Sequence, residues 1–356
     1  MDSLRDFISA AGRGGPAGEL LVRESLQAAL AARGVPLAVA GDDAEFAALT
    51  SPSALAGYGA VLLDPWTFVG AGWVPRPFLV GRESHTYLLS FFGTLLPAGG
   101  HGLALAPSHV LTPYPYAASL GNTFLGYAVR PRWAGTLTGV ARAPRPLPVR
   151  AAAAVAAVPP PPPLPPPPVK RRQGVVWGKE PRYFSERWAA LAALAAAGVE
   201  LHFTIEKPAA VPAGLDGAVW HGHLDAARWP ALLAESRFML GLGDPIAGPS
   251  AVDALAGGAA FLNPRFAEPR AGGFDSQHPF LAAAVGAPYV CDFSWDDAAS
   301  LHACAVAALD GPPLAPFIPE ELTEEALAAR VDVIFAELIA DANADGRPGT
   351  TAAENR

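Results

Sequence analysis

The segment Arg237–Arg265, RFMLGLGDPIAGPSAVDALAGGAAFLNPR, constrains the fold more than any other stretch of this chain. It reads as strand, glycine-rich loop, short helix, strand. Arg237 to Leu242 is an apolar run of strand length, and Gly243 to Pro249 is a loop carrying Gly243, Pro245, Gly248 and Pro249. Ser250 is placed to cap a helix running to Gly257, and Ala259 to Leu262 reads as a second buried strand. A glycine loop feeding a helix start presents backbone N–H groups and the positive end of the helix dipole, which suits a phosphate. Asp253 inside the helix and Arg265 just past the next strand suit a ribose and a diphosphate. The loop is not the dinucleotide fingerprint, because Gly241-Leu242-Gly243 is followed by Ile246 where the third glycine should stand. An oxidoreductase is therefore disfavoured.

The same alternation extends on both sides. Residues 174–340 predict strands at Gly174–Gly178, Val199–Ile205, Ala218–His221 and Pro288–Phe293. Helices are expected at Ser185–Ala197, Trp229–Glu235, Phe280–Val285, Asp297–Leu309 and, as one amphipathic helix, Thr323–Ile339. Residues 1–130 predict another α/β unit. It has a glycine loop at Gly14–Leu20, a helix over Leu20–Ala32, strands at Val35–Ala40, Gly59–Asp64 and Asn122–Val129, and a helix over Glu83–Phe92. Between them, residues 131–173 are an Ala/Pro-rich linker. Pro159–Pro168 must be extended polyproline II, serving as a spacer or as a ligand for a proline-recognition module. Lys170, Arg171 and Arg172 read as the solvated end of this linker, and residues 341–356 as a disordered tail. The expected fold class is α/β and GT-B-like: two Rossmann-type domains facing a cleft, with a C-terminal helix.

Composition narrows the function classes. A formal net charge of -8 with one short basic cluster makes nucleic acid a poor partner. Cys291 and Cys304 fall in an apparent strand and the helix after it, which fits two buried small hydrophobes better than a disulfide. The N-terminus lacks the apolar core of a signal peptide, and no stretch of about 18 residues is uninterruptedly apolar, so neither a leader nor a membrane span is expected.

Several motifs resemble one family. They are Gly241-Leu242-Gly243, Pro245, Gly248-Pro249, Phe261-Leu262-Asn263-Pro264, Ser276-Gln277-His278-Pro279, Trp177-Gly178-Lys179 and Phe317-Ile318-Pro319. Phe91-Phe92-Gly93-Thr94, Phe124-Leu125-Gly126 and Gly15-Pro16-Ala17-Gly18-Glu19-Leu20 join them from the first half. Together they resemble the α-1,6-mannosyl-glycoprotein 6-β-N-acetylglucosaminyltransferases, glycosyltransferase family 18, over roughly residues 12–340. The chain departs from the family pattern at Ala247 and Asp253, where the family has glutamate, and at Arg265, where it has lysine. The family's membrane anchor, stem and start of the catalytic region have no counterpart here.

The resemblance implies an inverting displacement from UDP-N-acetylglucosamine to a mannose 6-hydroxyl of an N-glycan, in the Golgi lumen, by a chain that is then a fragment of a longer product. The alternative, which Ala247 and the absent upstream segment support, is an inactive relative that binds nucleotide or glycan. Such a reaction needs a base for the attacking hydroxyl and stabilisation of the departing diphosphate. The sequence contains no Asp-x-Asp metal motif, so no metal or other cofactor is expected, and Arg265 or Lys179 supplies the cation. Donor-binding candidates are Gly178, Lys179, Gly241, Gly243, Gly248, Pro249, Asp253, Arg265, Ser276, Gln277 and His278. The base candidate is Glu19, which follows a glycine loop and opens a helix; Asp6 and Glu83 are weaker. His221-Gly222-His223 reads as a loop rather than a metal pair, although either histidine can border the pocket. Trp66, Trp73, Tyr114 and Tyr116 are candidates for sugar stacking, with core packing the simpler reading.

Overall fold

The structure is a computed structural model, and it describes residues 18–40, 43–63, 77–90, 105–115, 122–129, 169–178, 181–225, 228–270 and 273–344. The first glycine loop before Gly18, the polyproline run, Asp6, Trp66, Trp73, Tyr116, Lys179, the Phe91–Thr94 motif and the tail beyond Ala344 lie outside them.

The first unit contains helices α1 (Gly18–Ala31), α2 (Asp43–Leu49) and α3 (Pro52–Leu55). Strands β1 (Val61–Leu63), β2 (Thr86–Leu89), β3 (Val110–Thr112) and β4 (Thr123–Phe124) form a parallel sheet in the order β1-β2-β3-β4. Helix α1 buries Val22, Leu26 and Leu30, one face at helical spacing. Two expectations fail here. The helix expected over Glu83–Phe92 is absent from its described part, residues 83–90: a short 3₁₀ turn, Glu83–His85, leads into β2. Thr86 and Leu88 are fully buried while Tyr87 and Leu89 are not, so the segment has a period of two. Val35–Ala40 has no regular secondary structure and joins neither sheet. Its apolar Leu37 and Val39 stay exposed, so it lacks the burial a strand needs.

The second unit is built on β5 (Gln173–Val176), β6 (Glu200–Phe203), β7 (Val219–Trp220), β8 (Phe238–Leu240), β9 (Ala260–Arg270), β10 (Phe274–Ser276) and β11 (Val290–Ser294). The parallel strands stand in the order β7-β6-β5-β8-β9-β11. Numbered along the chain, this is the doubly wound order 3-2-1-4-5-6, whose switch point lies between β5 and β8. The antiparallel β10 pairs with the far end of β9. Helices α4 (Trp188–Ala196), α5 (Arg228–Glu235), α6 (Pro249–Ala256), α7 (Pro279–Ala284), α8 (Ala298–Asp310), α9 (Glu324–Ile334) and α10 (Ala336–Ala344) complete it. The expected single helix over Thr323–Ile339 is two, interrupted at Phe335, whose ring is buried in the core.

One core packs α4 and α8 on the sheet through Leu191, Leu194, Phe203, Phe238, Leu301 and Leu309. The other is shared between the units: Leu26, Leu30, Tyr114 and Tyr127 of the first lie with Phe261, Phe280, Leu322, Val331 and Phe335 of the second. The Val129 N–H donates to Leu322 O at 2.9 Å, and Arg33 pairs with Asp332 on α9. The two parallel α/β units and the returning C-terminal helix agree with the expected fold class.

Two readings of single residues are corrected. Lys170 is not part of a solvated linker end. Its Nζ donates to the carbonyls of Leu233 (3.0 Å), Ser236 (2.9 Å) and Gly257 (2.6 Å), which close α5 and α6. Burial, and then the charge of Arg237, push its pKa down to about 7. Cys291 and Cys304 are joined in a disulfide between β11 and α8, because a strand and its following helix bring their Cα atoms to 5.8 Å. Among the described residues no helix is long and apolar enough to cross a membrane.

Candidate active site

Ligands of a doubly wound sheet bind beyond the carboxyl ends of the strands at the switch point. Here that point is lined by Gly178 after β5 and by Gly241–Gly243 after β8. A Cβ on Gly178 would stand 2.5 Å from the Phe184 ring and 3.1 Å from Leu242, so the two strand ends approach as closely as glycine permits. The Thr204 hydroxyl, just past β6, accepts the Gly178 N–H at 3.2 Å.

The Gly241–Gly248 loop is not bare. Gly241 donates to Leu262 O at 3.0 Å, Gly243 to Gln277 Oε1 at 2.8 Å, and Ala247 to Gln277 O at 2.7 Å. Gln277 Nε2 in turn donates to Pro245 O at 3.1 Å. A Cβ on Gly241 would fall 2.2 Å from Gln277 Oε1, so the absence of a side chain there admits the carboxamide. The sequence-based picture of open N–H groups is thus corrected at three positions. The opening that remains is the start of α6. Its N-cap is Gly248 with no side-chain hydrogen bond, rather than Ser250, which lies inside the helix after Pro249. In its first turn Pro249 has no N–H and the Ala251 N–H donates to Gly248 O at 3.4 Å, which leaves the Ser250 N–H to an acceptor.

Gln277 and His278 reach the loop because β9 overshoots its neighbours. It was expected to end at Leu262 but runs to Arg270. β11 pairs with Phe261–Arg265 on one edge, and β10 pairs with Arg265 and Arg270 on the other, beyond the end of β8. Ser276 is fully buried in β10 with no hydrogen-bond partner for its hydroxyl. His278 caps α7: its Nδ1 accepts the Leu281 N–H at 3.4 Å, and its own N–H donates to Asn263 Oδ1 at 2.9 Å. The ring is fully buried against Tyr114 of the first unit, 4.8 Å between centroids. Burial lowers its pKa to about 3, so it is neutral at physiological pH. It serves as a cap and a junction between units.

The two charged candidates stand elsewhere than expected. Asp253 is turned toward α5 and accepts the Trp229 indole N–H at 3.0 Å. Arg265 lies inside β9 and donates to Asp275 (2.5 Å) and Asp292 (3.2 Å). Two acidic strand residues flank it, so it forms a surface ion-pair cluster instead of facing the loop freely. Glu19 lies in the first turn of α1. His221 borders a different cluster, its Nε2 at 2.8 Å from His202 Nδ1, with His202 also on Glu200 at 2.9 Å. Burial, His202 and Arg228 lower the His221 pKa. Among the described residues, no three His, Cys, Asp or Glu side chains are grouped as metal ligands.

Sequence reasoning missed Arg270. Its guanidinium donates to Gly243 O (3.1 Å) and Asp244 Oδ2 (2.9 Å) and lies 3.9 Å from the centre of the Phe266 ring. No motif marked it, since its place depends on the β9 overshoot.

Residues 166–340 match the model of glycosyltransferase family 18. Alpha-1,6-mannosylglycoprotein 6-beta-N-acetylglucosaminyltransferase A of Homo sapiens is 30% identical over 128 residues, 32% of this chain and 17% of that protein. The B form of Homo sapiens is 27% identical over 150 residues, 37% of this chain and 18% of that protein. The chain therefore matches less than a fifth of the length of these relatives. Among solved structures, AviGT4, a glycosyltransferase involved in avilamycin A biosynthesis, aligns with TM-score 0.48 and 15% identity over 89% of this chain and 88% of that one. A likeness that distant adds nothing to what the sheet order already gives. Residues 166–340, just under half of the chain, are thus similar to glycosyltransferase family 18.

Proposed function

We propose that the chain is an inverting glycosyltransferase that moves N-acetylglucosamine from UDP-N-acetylglucosamine to a mannose 6-hydroxyl of an N-glycan, without a metal ion. The observation that carries the reading is the coincidence of the family match with the switch-point crevice between Gly178 and the Gly241–Gly248 loop. The names of the relatives supply the sugar and the acceptor.

In this reading the diphosphate lies against the uncapped start of α6, where the helix offers about half a positive charge. Cations at the crevice share the charge of the departing UDP, and losing one such contact costs on the order of 3 kcal/mol in the transition state. The acceptor comes from the side of the first unit, and Glu19 is the candidate to take its proton. A disulfide in the donor half fits an oxidising lumen such as the Golgi.

The test is direct. The protein is incubated with UDP-N-acetylglucosamine and a biantennary N-glycan in EDTA, and the glycan is weighed by mass spectrometry. A gain of one N-acetylhexosamine, lost in Glu19→Gln, supports the proposal. No product with or without added Mn²⁺, while UDP still raises the melting temperature, identifies a binding-only relative.

A further inference from the structure

Beyond the end of β8, the β9–β10 hairpin carries two arginines over the carboxyl edge of the sheet, and their electrostatic surroundings differ. Arg265 stands between two carboxylates, Asp275 and Asp292, so its cluster is net negative. Arg270 has one carboxylate partner, Asp244; its other contacts are the Gly243 carbonyl and the Phe266 face. A Cβ on Gly243 would lie 3.4 Å from both Arg270 Nη2 and the Phe266 ring, so this pair sits directly on the glycine loop. The loop N–H groups at Gly241, Gly243 and Ala247 are already used within the protein. An anion in the crevice therefore depends on a cation more than an open phosphate cradle would.

We infer that Arg270 is the residue that reads the donor's diphosphate, and that Asp244 is a resident anion holding the guanidinium over the loop until a phosphate replaces it. The inference rests on the nucleotide-sugar reading of the site. The exchange forms and breaks no covalent bond. One charge-assisted pair, guanidinium to carboxylate, is traded for another, guanidinium to phosphate, and the planar fork suits the second bidentately. Stacking on Phe266 fixes the plane of the fork, so the side chain that must move is Asp244. Its side chain is 48% exposed and has water to turn into.

Calorimetric titration of the full chain with UDP and with UMP tests this. Wild type is expected to prefer UDP. Arg270→Gln should lower UDP affinity at least about tenfold and leave UMP within about twofold, removing the preference. Arg270→Lys should keep part of it. Asp244→Asn, which removes the competing carboxylate, should tighten UDP severalfold, an opposite sign that no general loss of structure produces. The inference is overturned if Arg270→Gln binds UDP as wild type does, if UDP and UMP weaken equally, or if Asp244→Asn weakens UDP. If the wild-type chain binds neither nucleotide, the donor-site reading itself fails and takes the role of Arg270 with it.

Discussion

The Gln277 side-chain oxygen accepts the Gly243 N–H at 2.8 Å, joining the end of β10 to the loop after β8. The same residue also engages the Pro245 carbonyl and, through its own carbonyl, the Ala247 N–H. One buried residue thus fixes the loop at three points. Gln277→Ala should leave a buried donor, the Gly243 N–H, and a half-buried acceptor, the Pro245 carbonyl, unmatched, costing about 2 kcal/mol of stability in chemical denaturation. UDP affinity should fall with it. Unchanged stability would mean the loop keeps its shape without the carboxamide.

His278 gives the protein an acid-sensitive stability. Its folded pKa, lowered by burial to about 3, lies below the ordinary value of 6.5. Below about pH 6.5 the unfolded chain takes up a proton that the folded chain refuses, so stability is full above that point and falls as the pH falls toward 3. Between pH 6.5 and 5 the loss is about 2 kcal/mol. His278→Asn keeps a capping acceptor and should flatten this part of the profile. Parallel profiles for the two proteins would refute the assignment.

Much of the second unit was legible from sequence because its elements satisfy local rules. Ser185–Ala197 and Asp297–Leu309 carry helical spacing, and Asp297 proves to be the N-cap of its helix, accepting from the Ala299 and Ser300 N–H groups. The hairpin was not legible. Past Leu262 the β9 sequence contains Pro264, Arg265, Glu268, Pro269 and Arg270, which carry no alternation. Pairing with β10 and β11 holds it extended, and pairing is a tertiary fact. The positions of Arg265, Arg270 and Gln277 all follow from that overshoot. Lys170 was misread for a related reason: a basic run looks solvated until its neighbours in space are known.

Lys170 closes α5 and α6 at once. Lys170→Met keeps the apolar stem and removes the amine that donates to three helix-end carbonyls. The expected cost is about 2–3 kcal/mol, from groups left buried without their donor. Arg171→Met, at an exposed side chain paired at 3.6 Å with Glu235, should cost less than about 1 kcal/mol. Equal effects for the two variants would restore the solvated-linker reading.

The Cys291–Cys304 disulfide closes a loop with a sequence separation of 13. Chain-entropy accounting gives about 3 kcal/mol for a loop of this size. The double variant Cys291→Ser/Cys304→Ser should lose about that much. Wild type in excess dithiothreitol should match it. Asp292, next to Cys291, anchors both Asn263 and Arg265, so loosening β11 also loosens the support under His278. A non-reduced peptide map without the linked pair would remove the basis of this prediction.

The first unit depends on the end of the chain. Its strands are two to four residues long, and Leu63, Leu79, Leu88 and Val110 form its only separate buried cluster among the described residues. The rest of its core is completed by α9. Arg330 reaches from α9 to donate to Leu125 O and Glu321 O, both at 2.6 Å, and lies 4.2 Å from the Phe124 ring centre. Burial lowers its pKa to about 10, so the charge persists at neutral pH. Arg330→Met should therefore weaken the first unit while sparing the sheet that carries the glycine loop. The expected result is a first melting transition displaced downward, with UDP still protecting a second. A single transition shifted as a whole would show instead that the shared core makes both units one cooperative body.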